Sequence, residues 1–122
     1  MNAWAKRITG AGRGAVATIL VGGDDSAAAV MHFFRPVSKV TTLHKNRVYF
    51  GTWVSKNYQE DLVVTRINNS RFEIHCHGGQ LAASTILSSF EQLGVHLDVN
   101  VAAEDEPDLF ATEAIDLSLI HI

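Results

Sequence analysis

The chain has 122 residues, 47% of them hydrophobic and 19% charged, with a formal net charge of -3, a composition that excludes a disordered or membrane-embedded chain and favours one globular domain. A chain of this size buries roughly two-thirds of its unfolded surface, enough for a core without disulfides or a structural metal. The lone Cys76 cannot found a disulfide framework or a Cys-rich zinc site, and it points to a reducing, cytoplasmic setting.

In chain order, MNAWAKRITG lacks the apolar h-region and cleavage site of a secretory signal, and no apolar run reaches the about 18 residues that span a bilayer. GAGRGA at 10–15 has closely spaced glycines, but they precede a strand. A dinucleotide fingerprint needs them after one, so the plainer reading is a tight turn. RGAVATILV, from Arg13 to Val21, is apolar on both parities and predicts a central strand buried on both faces. Gly22 and Gly23 end it. Asp24, Asp25 and Ser26 then offer N-cap side chains, and Ala27, Val30, Met31 and Phe34 recur at helical spacing as far as Pro36.

Lys39, His44, Lys45 and Arg47 form a modest basic cluster without a stripe, so direct nucleic-acid binding by this segment is not expected. Asn46 to Val54 and Glu60 to Ile67 read as two strands joined by SKNYQ, a hairpin or near-hairpin. After the turn signal Asn68-Asn69-Ser70, RFEIHCH alternates strictly. Phe72, Ile74 and Cys76 face the core, while Glu73, His75 and His77 face outward.

Gly78-Gly79 breaks that strand. QLAASTILSSFEQLG predicts a helix with Ala82, Ile86, Phe90 and Leu93 on its apolar stripe and Gly94 as a left-handed stop. Val95 to Val101 alternates as a half-exposed strand with His96, Asp98 and Asn100 outward. An acidic loop follows, and Pro107 opens the start of another helix. The predicted order is β-α-β-β-β-α-β, an α+β fold with one mixed sheet covered by two helices. LSLIHI, residues 117–122, matches the translation of a widely used transposon-type sequencing adapter. It reads as a non-native tail, and the natural protein is expected to continue beyond Asp116.

Three chemistries compete for the His-Cys-His string. A catalytic zinc needs three converging ligands, but Cys76 points away from His75 and His77 on a regular strand. A Cys-His nucleophile pair needs an exposed, activated thiolate, whereas Cys76 lies on the apolar face. A transferase using Glu73, His75 and His77 rests only on their shared face. Gly78-Gly79 has a strand before it and a helix after it, an arrangement that can receive an anion or serve only as a sharp turn. No GxxxxGK[ST] motif occurs in the 122 residues, so no P-loop lies in this chain.

TGAGRGAVATILVGG, YFGTW followed by EDLVV, and FEIHCHGGQLAASTILSSFEQLG together resemble the N-terminal domain of the MnmE (TrmE) family of tRNA-modification GTPases, over residues 9 to about 100. The run Glu73, His77, Gly78 and Gly79 is the most specific part. The resemblance implies a fold similar to the folate-binding domain of the glycine-cleavage T-protein, spanning residues 1–103, with residues 104–116 an acidic loop and the start of a helical region. It further implies homodimerisation and 5-formyltetrahydrofolate bound near the dimer interface. An MnmG partner and a GTPase domain elsewhere would act with it in modifying the tRNA wobble uridine.

Glu73 falls on the family's folate-contacting Glu and is expected to accept paired hydrogen bonds from a pterin's amino-pyrimidine edge, with His77, Gly78 and Gly79 beside it as cofactor-binding residues. The family's Arg falls on Leu20, which cannot make its polar contact. The family's Lys has no counterpart, and a pocket-walling loop is reduced to INNSR. Impaired folate binding is therefore the expectation. The alternative is a degenerate structural or dimerisation domain whose function lies in a missing C-terminal region.

Overall fold

The computed structural model describes residues 1–8, 16–78 and 80–98, with only the backbone of Gln80. The expectations for 10–15, Gly79 and 99–122 lie outside these residues. In chain order the elements are β1 (Trp4–Arg7), β2 (Val16–Gly22), α1 (Ser26–Phe33), β3 (Phe34–Pro36), β4 (Val48–Ser55), β5 (Tyr58–Asn68), β6 (Arg71–His77), α2 (Gln80–Leu93) and β7 (His96–Leu97). The strands form one seven-stranded sheet in the order β3-β4-β5-β6-β2-β1-β7. All of its ladders are antiparallel except the parallel pair of β1 and β7.

The α+β architecture and the seven expected elements are present, with β1 and β3 in addition. β1 is too short and too mixed in character to show period-two alternation, and it becomes a strand by pairing with β2, Ala5 opposite Val21. β3 takes Phe34, which helical spacing had assigned to the helix. Pro36 disfavours helical backbone in the residue before it, and the chain turns extended at Phe34 with ψ 131°.

Asp24 and Asp25 do not cap α1. Asp25 Oδ2 accepts from the backbone N–H of Asn2 at 2.6 Å and Asp24 Oδ2 from Asn2 Nδ2 at 3.2 Å, so both carboxylates tether the start of the chain. The β4–β5 connection is tighter than SKNYQ suggested. Ser55 pairs with Tyr58, leaving Lys56-Asn57 as a two-residue turn. Gly94 stops α2 with φ +106°, a left-handed conformation that glycine adopts at little cost.

Both helices cover one face of the sheet. Val30 and Phe33 of α1 and Ala83, Ile86 and Phe90 of α2 bury against Ile19, Val21, Trp53, Leu62, Val64, Phe72 and Ile74. At the centre, the Trp53 ring stacks on Phe33 at 5.2 Å, and both rings meet the Phe90 ring edge-on at 5.2 and 5.9 Å. Such ring pairs contribute about 0.5–1.5 kcal/mol each beyond the area they bury. The Trp53 N–H is satisfied by Ser89 Oγ at 3.2 Å, and that hydroxyl donates in turn to the Ile86 carbonyl at 2.6 Å.

Candidate functional site

The opposite parity of β2, β5 and β6 makes the second face of the sheet. Thr18, Leu20, Val63, Thr65, Glu73 and His75 lie there, all buried. Glu73 and His75 therefore correct one expectation. Alternation assigns them to the right face, but that face is covered, with Glu73 only 3% and His75 0% exposed. His77 alone of the three reaches solvent, half-exposed.

Cross-strand register sets the geometry. Thr18 lies opposite His75 and Leu20 opposite Glu73, while on the other side Thr65 lies opposite Glu73. Thr18 Oγ1 is 3.2 Å from His75 Nδ1, and His75 Nε2 is 3.2 Å from Glu73 Oε1. With the proton on Nε2, the imidazole presents its N–H side to the carboxylate and accepts from the Thr18 hydroxyl through Nδ1. The second contact is close but poorly aligned. Glu73 Oε1, His75 Nε2 and Thr65 Oγ1 are all buried without a completed hydrogen bond.

Three polar atoms in that condition on two adjacent strands are unusual, since buried polar groups are nearly always paired. Each lost partner costs about 1–3 kcal/mol. A carboxylate oxygen beside an imidazole N–H offers an acceptor and a donor to a planar edge carrying the complementary pair.

His77 belongs to a different cluster. Its backbone N–H donates to Glu60 Oε2 at 3.1 Å, and its Nδ1 lies 3.3 Å from the same oxygen. The Tyr58 hydroxyl donates to Glu60 Oε1. Burial first, then the hydrogen bond and charge of Glu60, hold the Tyr58 hydroxyl well above its usual range. Burial also pushes the Cys76 thiol up to about 12, the Glu60 charge adding to the effect and Arg7 opposing it. A thiol so placed, with Sγ 3.6 Å from the Ala17 carbonyl, is a core residue rather than a nucleophile.

The sequence-predicted set is thus divided. Glu73 joins His75 and Thr18 on the covered face, and His77 turns to Glu60. On a strand rising about 3.3 Å per residue, Glu73 and His77 stand roughly 13 Å apart. Gly78 links β6 to α2, and Gly79 lies outside the described residues. Sequence reading missed Thr18 and Thr65, which come opposite His75 and Glu73 only through long-range strand pairing. Among the described residues no three His, Cys, Asp or Glu side chains converge as metal ligands, and no helix is long and apolar enough to cross a membrane.

A seven-stranded mixed sheet with two helices on one face is an α+β architecture. Among solved structures, the chain is similar to glycine cleavage system aminomethyltransferase T from Bartonella henselae, with a TM-score of 0.51 and 18% identity. The match covers 75% of this chain and 23% of that protein, so the chain spans about a quarter of its length. At this identity the likeness is one of fold. No family model and no curated protein sequence matches the chain.

Proposed function

We propose that this chain is a ligand-binding and self-association module of the MnmE N-terminal type, in which Glu73 contacts a reduced folate such as 5-formyltetrahydrofolate. The observation that carries this reading is the buried Glu73 carboxylate, one oxygen of which completes no hydrogen bond, in a fold similar to that of an aminomethyltransferase. A pterin's amino-pyrimidine edge supplies the paired N–H donors that such a carboxylate accepts. Leu20, directly opposite Glu73, supplies no charge where the family has an arginine, so binding is weak.

In this reading the module acts in the cytoplasm as a homodimer. A GTPase domain outside this chain and an MnmG-like partner carry the tRNA wobble-uridine chemistry. Val37, just after the edge strand β3, and Val48 and Phe50 of its neighbour β4 are exposed apolar side chains that provide apolar surface for self-association. Calorimetric titration with 5-formyltetrahydrofolate tests the ligand half. Saturable binding that disappears in Glu73→Gln supports it, and no binding at about 1 mM removes it. Light scattering behind size exclusion tests the other half, where a strict monomer refutes self-association.

A second reading, a structural domain without a ligand, draws on the 3% exposure of Glu73 and on Leu20. It predicts a dimer that ignores folate.

A further inference from the structure

The helix-covered side of the sheet carries a second feature, separate from Glu73 and His75. Between the end of α1, the β4–β5 turn and α2 lies an open cleft of about 540 Å³, within the size range of small-ligand sites. Phe33, Tyr58 and Leu93 give it an apolar floor, and His32, Arg35 and Lys56 line it with cationic or protonatable groups. Among the described residues no carboxylate lines it, although the chain has 13 Asp and Glu against 10 Lys and Arg. The local charge is opposite in sign to the net charge of the molecule, which favours an anion.

The cations are positioned from separate elements. Arg35 Nη1 donates to the carbonyls of Met31, His32 and Phe34 at 3.2–3.3 Å. This anchors the guanidinium at the end of α1 and leaves Nε and Nη2 unused among the described residues. Lys56 occupies the two-residue turn of the hairpin, and its ammonium has no partner among the described residues. From α2, Thr85, Ser88 and Gln92 turn a polar stripe to the same space. A planar guanidinium, a point-charge ammonium and hydroxyl donors beside an apolar floor suit a tetrahedral oxyanion attached to an apolar body.

We propose that this cleft binds a small phosphate-bearing organic molecule, with Arg35 and Lys56 meeting the phosphate and Phe33 and Leu93 under its apolar part. The test is an NMR titration of the intact chain with two probes, ADP and inorganic pyrophosphate. Both are expected to saturate, ADP at the lower concentration, with amide shifts at residues 32–35, 55–57 and 85–92. Lys56→Gln and Ser88→Ala remove side chains that make no hydrogen bond among the described residues, so the fold is kept, and each weakens binding by at least about threefold; Arg35→Gln weakens it about tenfold.

Four outcomes overturn the proposal: no saturation by either probe to about 10 mM, shifts confined to the Lys39–Arg47 loop, unchanged affinity in Lys56→Gln, or pyrophosphate binding more tightly than ADP. Glu73→Gln is expected to leave both titrations unchanged, so a failure here is distinct from a failure of the folate reading.

Discussion

Glu73 Oε1 and His75 Nε2 lie 3.2 Å apart on one strand, both side chains withdrawn from solvent, and neither atom completes a hydrogen bond. Residues two apart on a strand share a face, so the sequence itself forces the pair together. A neutral amide costs less to bury than a carboxylate. Glu73→Gln is therefore expected to raise unfolding free energy in urea by about 1 kcal/mol, and to abolish the proposed folate binding. A loss of stability of similar size would mean that the carboxylate is engaged in the unliganded protein.

Ser89 is the partner of a fully buried indole. Ser89→Ala leaves the Trp53 N–H without an acceptor and is expected to cost about 1–3 kcal/mol, read as a lower urea midpoint at constant m-value. Trp53→Ala removes the centre of the aromatic cluster and is expected to cost about 3–5 kcal/mol.

Cys76 makes a pH prediction with a definite sign. Its thiol is pushed from 9.0 up to about 12 in the folded chain, while the unfolded thiol keeps an ordinary value. Well below pH 9.0 both states are protonated and this group is indifferent to pH. As pH rises from there toward 12, only the unfolded chain ionises, and stability falls by up to about 1.4 kcal/mol per pH unit. Cys76→Ala is expected to flatten that slope in denaturation curves taken between pH 8 and 10 (about one unit either side of the ordinary thiol value). The native thiol is also expected to resist iodoacetamide until the chain is unfolded.

Gly51 sits where the edge strand β3 crosses closest. A Cβ there would stand 2.4 Å from the Arg35 carbonyl and 2.7 Å from the Phe34 ring. The nearest obstacle is backbone and the next is the ring of the fully buried Phe34, so Gly51→Ala is expected to displace β3 at a cost of about 1–3 kcal/mol. It is also expected to weaken binding in the Arg35 cleft, measured by the same phosphate titration.

The elements that sequence made legible were those with a recurring apolar pattern: β2, α1, β4, β5, β6, α2 and β7. β1 and β3 were not, because strands of three or four residues carry no period and exist only through their neighbours. The covered second face was half-legible. Arg13 to Val21 read as buried on both faces, and the strand that pairs with it, β6, had to share that environment; alternation along RFEIHCH, taken alone, separates faces without saying whether each is covered. The Glu73–His75 pair followed from spacing. Thr18 and Thr65 did not, since they reach Glu73 and His75 only through strand pairing between distant parts of the chain. The Arg35 cleft escaped entirely, because its walls come from three elements whose packing no local pattern encodes.

The parallel pairing of β1 with β7 bears on how this chain comes to be folded. Trp4 lies opposite His96, so the first strand finds its outer neighbour more than ninety residues later. The β4–β5–β6 meander can form from local contacts as soon as it is made, whereas closure of the β1 edge waits for nearly the whole of the described chain and carries a large loop-closure entropy. During synthesis, the outer edge of the row Ala3 to Arg7 therefore stays an open template until β7 emerges, while pairing with β2 and the Asn2 tether to Asp24 and Asp25 hold it in register.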